Sequence, residues 1–327
     1  MKRENRRKMG KRSAPRVLVV GELNVDIVAV GVERLPVMGA EVITKDCELT
    51  LGSASAIFAV GMARLGSRVT FVSQVGKDTF GDFCLNALKH EGISTTYVQR
   101  KRAEKTGVTI SLSTVRDRAF ITYPGAIASF RVQEFDTSLI ARHQHIHLTS
   151  YYLQRGLQPA FPGLFKKAKA EGLTTSFDPN SDPNSSWHDG INEVLRNTDL
   201  LFVNEREATE LTGFTKKRDA LKALGQLVPC AVIKLGSKGA AATHQDQVIK
   251  HSGFKVNAVD TTGAGDSFDA GFVAAYLRGA AIEDCLRQGN ACGALSTQEA
   301  GGTAGQPTSR RLSQFLKEKS LSGRIER

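Results

Sequence analysis

From residue 17 onward, short β-branched runs alternate with longer amphipathic ones. Residues 17–20 (VLVV) are continuously apolar and stop at Gly21, the pattern of a strand buried on both faces. Small residues crowd 53–65, which reads as a helix closed by Gly66. The next strand is expected at 69–74, and the next helix at 80–91, closed by Gly92. The strand-then-helix order recurs at 145–149 with 159–170, at 174–177 with 191–196, and at 200–203 with 205–211. A further strand follows at 230–235. Repetition of this unit predicts an α/β fold: a doubly wound, mainly parallel sheet with helices on both faces.

Two segments break that rhythm. Residues 24–50 carry strand-like sequence punctuated by Gly and Pro where a crossover helix belongs. Residues 106–123 read as two strands around the turn residues Arg116 and Asp117. Together they predict a small β-sheet laid over one edge of the body. His143, His145 and His147 alternate along a predicted strand and so share one face. That spacing is open to a metal, but no partner Asp or Cys is apparent, and core histidines are the plainer reading. Tyr151 and Tyr152 follow that strand as pocket wall or as packing, and Trp187 falls in a polar loop.

Composition narrows the class. A chain of 327 residues can build a large core without disulfide or metal staples. With 41% apolar and 24% charged residues and only nine prolines it is globular. No apolar stretch approaches the roughly 18–20 residues that a bilayer span requires. The formal charge of +11 suggests nucleic acid until it is located. Residues 1–16 hold eight basic groups and one acid, and residues 310–327 hold six and two. Removing both from the totals of 44 and 33 leaves 30 basic and 30 acidic groups in 17–309. The body is neutral, which argues against nucleic acid as a partner; salt-sensitive phosphate contacts through the tails are the alternative. The head, 1–16, is expected to be a disordered basic arm without the apolar stretch of a secretory leader. The C-terminal end, 310–327, reads as a second basic tail. Five cysteines with no C-x-x-C pair predict reduced thiols in a cytoplasmic protein.

The most informative stretch is 259–273, VDTTGAGDSFDAGFV. Past its glycines, Phe268, Phe272, Ala275 and Tyr276 fall on one helical face, so the glycines form a loop feeding a helix N-terminus. Free N–H groups of Gly263, Ala264, Gly265 and Asp266 would make an anion site there, and glycine lets a phosphate approach the backbone closely. Asp266 at its mouth reads either as a general base for a hydroxyl or as a first-turn acid answering the helix dipole. The adjoining glycines favour the first. The loop is not a dinucleotide fingerprint, since Phe268 stands where the third glycine would be. Nor is it a P-loop: Gly76-Lys77, the only Gly-Lys before a helix start, lacks the glycine five residues upstream and the Ser/Thr after lysine.

DTTGAGDSFDAGF at 260–272 resembles the C-terminal signature of the ribokinase-like (PfkB) carbohydrate kinases. Also similar are VVGELNVDIV at 19–28, LP at 35–36 and GSASAIFAVGMARLG at 52–66, then NEREATELTG at 204–213 and IKLGSKGA at 233–240. The resemblance spans about 17–307 in the family's order. It implies an ATP-dependent sugar kinase that phosphorylates a hydroxyl, usually a primary alcohol, of a monosaccharide or sugar acid, with the small sheet as lid. It also implies Asp266 as catalytic base and Gly263, Ala264 and Gly265 as anion hole. Asn24, Asp26, Gly52 and Ser53 would bind the sugar. Asn204, Lys234, Gly236, Ser237, Gly239, Gly265 and Asn290 would serve ATP, and Glu207 would hold Mg²⁺ through water. Asp260 and Thr262 match positions that offer ligands to a monovalent cation, K⁺, in some members.

Each assignment has a plainer counterpart: a turn acid at Asp26, a first-turn helix acid at Glu207, a solvated strand-end lysine at Lys234. The sequence departs from the family where Leu51-Gly52 replaces Gly-Gly and Ala56 replaces an asparagine, which removes an amide from the pocket and leaves the sugar open. A nucleoside kinase of the same family and a sugar-binding sensor without turnover are the alternatives. A homodimer through the lid edges is a further expectation, because unpaired strand edges invite partners.

Overall fold

The computed structural model describes residues 13–114, 118–188 and 190–325. The expected turn at Arg116 and Asp117 and the first twelve residues of the basic head lie outside them.

The strands are β1 (Arg16–Val20), β2 (Asn24–Val30), β3 (Asp46–Leu51), β4 (Arg68–Gly76), β5 (Ser94–Lys101), β6 (Gly107–Ser113) and β7 (Arg118–Tyr123). They continue with β8 (His145–Thr149), β9 (Thr174–Asp178), β10 (Leu200–Asn204), β11 (Cys230–Lys234), β12 (Ala240–His244) and β13 (Gln247–His251). The helices are α1 (Ala54–Arg64), α2 (Thr79–His90), α3 (Ala126–Ser129), α4 (Phe161–Ala170) and α5 (Ile191–Leu195). After them come α6 (Glu205–Thr212), α7 (Lys217–Gly225), α8 (Ala264–Leu277), α9 (Ile282–Ser296) and α10 (Ser309–Ile325).

Nine strands make the main sheet in the order β13-β12-β11-β10-β9-β8-β1-β4-β5. Strands β5 through β11 in that order run parallel, while β12 pairs antiparallel with both β11 and β13. The four residues after Arg16 in β1 are fully buried, as its unbroken apolar run requires. Two apolar clusters flank the sheet, one built around α1, α8 and α9 and the other around α4, α5 and α7. The chain leaves β1 towards β4 and β5 on one side and later builds outward from β8 on the other. That reversal makes the carboxyl ends of β1 and β8 a topological switch point, the place where open α/β sheets hold ligands.

The second sheet, β3-β2-β6-β7, is the predicted lid, with β2 parallel to β6 and antiparallel to β3. Its strands alternate, with Asn24, Asp26 and Val28 buried on one face. Leu49 and Ile121 lie on the other, exposed.

Several sequence readings change at the side-chain level. Tyr151 and Tyr152 are buried in the core around Phe161 and Phe177, and Trp187 joins them with its carbonyl accepting a 2.5 Å bond from the Tyr152 hydroxyl. They pack rather than wall a pocket. The three histidines are core groups. His143 lies between the Leu139 carbonyl and Thr70, His145 between Thr174 and Ser176, and His147 stacks on Phe58 at 3.6 Å. Burial pushes His145 down to about 3, so it stays neutral. The basic C-terminal end begins as helix α10, whose Leu312 and Phe315 enter the core, with Phe315 edge-on to Phe254. All five cysteines are free, and four of them are buried. Among the described residues no helix is long and apolar enough to cross a membrane.

Candidate active site

Two helices start side by side at the carboxyl edge of the sheet. Ser53 caps α1 by accepting from the Ala56 N–H, and Gly263 caps α8 at φ +68°, a left-handed conformation that suits glycine. A Cβ at Gly263 would lie 3.0 Å from Ile57 in the first turn of α1, and one at Gly61 would lie 2.7 Å from Ala270. Gln306 ties the pair by donating to the Ile57 carbonyl and the Ser267 hydroxyl. The helices therefore run parallel, and both positive N-terminal ends open on the same side.

At the α1 end, the Asn24 amide donates to Asp26 Oδ1 at 3.1 Å and to the Thr109 hydroxyl at 3.3 Å. Gly52 fits between them because it has no side chain: a Cβ there would sit 2.1 Å from Asp26 Oδ1 and 2.8 Å from the Asn24 amide. The Gly52 N–H also donates to the Asn24 carbonyl. Asn24, Asp26 and Gly52 thus form one cluster, as expected. Ser53 lies beside it, with its hydroxyl spent on the cap and on the Glu22 carbonyl at 2.7 Å. Ala56 is fully buried in the core, so the site is one amide poorer where the family has asparagine.

At the α8 end, Asp266 occupies the first turn after Gly263, Ala264 and Gly265. Its carboxylate, with those of Asp178 and Asp269, offers oxygens that all lie within 4.8 Å of one another. Lys234 closes this cluster from β11, 2.5 Å from Asp178 and 3.3 Å from Asp269. A Cβ at Gly265 would lie 3.2 Å from the Lys234 amine, so the lysine backs the anion loop. Burial works against its charge, but Asp178, Asp269, Glu207 and Asp266 together outweigh it and hold Lys234 protonated. The solvated-lysine alternative is excluded by this packing. Asn204 and Glu207 form a capping box at α6: the Glu207 N–H donates to Asn204, and the Asn204 N–H donates to Glu207 at 2.8 Å. Burial, then the charge of Asp178, pushes the Glu207 carboxyl up to about 7. Burial likewise raises Asp269 well above the ordinary carboxylate range.

Four of the residues assigned to ATP by the sequence resemblance also converge. Gly239 (φ +99°) lies against the end of β13, where a Cβ would come 2.1 Å from the His251 carbonyl. Ser237 abuts Gly253, Gly236 opens the same turn, and Asn290 donates from α9 to the His251 and Ser252 carbonyls. Asp260 is occupied internally. It accepts from the Thr262 N–H and hydroxyl on one oxygen and from the Gly301 N–H on the other.

Three side chains of the candidate site escaped the sequence reading. Asp178 ends β9, where the rule applied to Asp26 and Glu207 would have found it. Asp269 lies one turn past Asp266, and Thr109 faces Asp26 across the lid register. The donor set suits a hard cation: carboxylate oxygens predominate, and Asp269 Oδ1 is buried without a hydrogen-bond partner. Asp178, Asp266 and Asp269 therefore fit Mg²⁺.

A model of the pfkB family carbohydrate kinases matches residues 14–309. The 2-dehydro-3-deoxygluconokinase of Bacillus subtilis is 32% identical over 286 residues, covering 81% of this chain and 86% of that protein. The ribokinase of Arabidopsis thaliana, solved with ribose and ATP, superposes with a TM-score of 0.79 at 28% identity, covering 93% of this chain and 99% of that one. An Escherichia coli protein named as a candidate ribokinase II, solved with ATP and Mg²⁺, gives 0.81 at 25% identity, covering 93% and 99%.

Proposed function

The chain belongs to the pfkB family of carbohydrate kinases, and from that premise we propose an ATP-dependent sugar kinase with Asp266 as its base. It moves the γ-phosphoryl group of ATP to a hydroxyl, a primary alcohol, of a monosaccharide or sugar acid. One observation carries the reading: the first turns of α1 and α8 touch, so the Asn24–Asp26–Gly52 cluster and Asp266 open on the same side. A sugar hydrogen-bonded at the first would present a hydroxyl to the second.

In this scheme Asn24 and Asp26 orient the sugar, and Asp266 accepts the hydroxyl proton as oxygen attacks phosphorus. The N–H groups of Gly263, Ala264 and Gly265 face the charge that develops on the transferring group. Positioning and charge stabilisation supply most of the acceleration in phosphoryl transfer. Gly236, Ser237, Gly239 and Asn290 form the nucleotide platform. Mg²⁺, when held by Asp178, Asp266 and Asp269 with Glu207 behind them, would offset phosphate charge. Lys234 keeps that acidic group from repelling itself apart. The lid excludes water so that ATP is not hydrolysed. K⁺ at Asp260 and Thr262 belongs to the same reading. A dimer through the lid is motivated by its open apolar face, where Leu49 is 44% and Ile121 60% exposed.

The test is ADP release with Mg-ATP over a panel of neutral sugars, sugar acids and nucleosides, with wild type beside Asp266→Asn. Turnover of one sugar that falls at least ~10³-fold in the variant is the expected result. Turnover confined to nucleosides would move the assignment to a nucleoside kinase, and unchanged turnover in Asp266→Asn would remove the base.

A further inference from the structure

Glu22, in the turn between β1 and β2, is 3% exposed and takes no part in the chemistry just described. Its carboxylate accepts from the Ser55 N–H at 3.1 Å and from the hydroxyls of Ser55 at 2.7 Å, Thr149 at 3.1 Å and Ser150 at 2.8 Å. A buried carboxylate is tolerated only with such donors around it. These donors come from two different elements. Ser55 belongs to the first turn of α1, whereas Thr149 ends β8 and Ser150 follows it.

The network continues in both directions. Towards the sugar cluster, the Ser53 hydroxyl donates to the Glu22 carbonyl, and Gly52 next to it wedges against Asn24 and Asp26. Towards the phosphoryl site, the Asn180 amide donates to the Ser150 hydroxyl at 3.2 Å, and the Asn180 N–H donates to Asp178 at 3.0 Å. Asp178 is the partner of Lys234, which also meets Asp269. Three residues along this path, Ser53 (φ +70°), Ser150 (φ +51°) and Asn180 (φ +54°), hold left-handed backbones that side chains other than glycine rarely adopt. Such strain persists where the surroundings over-determine it, and it gathers at functional sites.

We propose that Glu22 is a positioning residue that locks the Gly52–Ser53 turn in register with the phosphoryl-transfer cluster, so that the bound sugar is aimed at Asp266. This rests on the kinase reading above. Glu22 touches no substrate. It acts through Gly52 on Asn24 and Asp26, and through Ser150 and Asn180 on Asp178.

The experiment compares steady-state kinetics of wild type, Glu22→Gln and Asn180→Gly. Gln keeps the shape but presents an N–H₂ where an oxygen accepted hydroxyls. Gly adopts φ +54° freely while removing the linking amide, so it carries the test if Glu22→Gln does not fold. The sugar KM should rise about tenfold in Glu22→Gln and several-fold in Asn180→Gly, with the ATP KM within twofold of wild type. Together the two should raise it by less than the product of the single effects, because both cut one path. A purely structural role would lower the melting temperature and the active fraction while leaving the sugar KM where it was, and that outcome would overturn the proposal. Wild-type turnover with an unchanged sugar KM in both variants condemns only Glu22, whereas a wild type that turns over no panel member condemns the kinase reading.

Discussion

At the end of the site proposed to bind sugar one carboxylate, Asp26, is held by an amide and by the bare backbone of Gly52, whereas at the end proposed for phosphoryl transfer Asp178, Asp266, Asp269 and Glu207 gather around Lys234. The first is fixed by shape: there is no room for a single methyl group beside Asp26. The second is fixed by charge balance, since four acids around one lysine leave an excess of negative charge that protons held on Glu207 and Asp269, or a bound cation, offset. Under the proposed function, selectivity for the acceptor belongs to steric fit and a few hydrogen bonds, and the handling of phosphate to electrostatics. Perturbations should sort accordingly.

The largest effect is expected from Lys234→Met, which leaves Asp178 and Asp269 buried without their cation. Breaking such a pair by removing one partner costs about 3–5 kcal/mol. Denaturant unfolding should show that loss, and adding Asp178→Asn should restore part of it. An unchanged unfolding midpoint would mean that the acidic end is not balanced by this lysine.

Next comes pH. The Glu207 carboxyl stands at about 7 in the fold against an ordinary 4.5, so the native state binds more protons than the unfolded chain between those values. Stability should then fall as pH rises from about 4.5 to about 7, by up to ~3 kcal/mol, and level off above. Asp269, raised in the same direction, adds to the slope. Without Mg²⁺ and nucleotide, Glu207→Gln should flatten it. A slope that persists undiminished in the variant would assign it elsewhere.

A smaller effect belongs to the shape-controlled end. Gly52→Ala should raise the sugar KM about tenfold, roughly 1.4 kcal/mol, with the ATP KM unmoved. Equal increases in both would show that the two ends are not separable. Smallest for the folded monomer is Ile121→Asp on the exposed lid face, where surface substitutions stay within about ±0.5 kcal/mol. It should nonetheless convert a dimeric mass to a monomeric one in light scattering, and a wild type that is already monomeric ends the lid-dimer proposal.

Much of the body is legible in sequence because buried parallel strands such as β1 and β10 are unbroken apolar runs ended by Gly21 or by the capping pair Asn204 and Glu207. The lid was readable for a different reason: strand-like sequence broken by Gly and Pro at 24–50, and two strands around a turn at 106–123, stand where crossover helices belong. β12 (AAATH) and β13 (QVIKH) carry neither signal. They are strands because β11 supplies an edge to pair with, a long-range cause that local pattern does not contain. The same limit applies to side chains. Asp266 and its glycines announce an anion site through spacing along one helix. The Lys234–Asp178–Asp269 contacts join β11, β9 and α8, and nothing in the local sequence relates them. His147 is polar by type and Trp187 falls in a polar loop, yet both lie in the core, placed there by packing that local sequence does not contain.

Four of the five thiols lie inside the body, and burial pushes Cys230, Cys285 and Cys292 up to about 12 and Cys84 higher still. The thiolate is the form that reacts, so these four are inert to maleimides at neutral pH. Cys47 alone is exposed, and it sits on β3 of the lid. The unmodified protein thus carries a single attachment point for a fluorophore on the lid, and its emission would report whether that sheet moves when the proposed substrates are added.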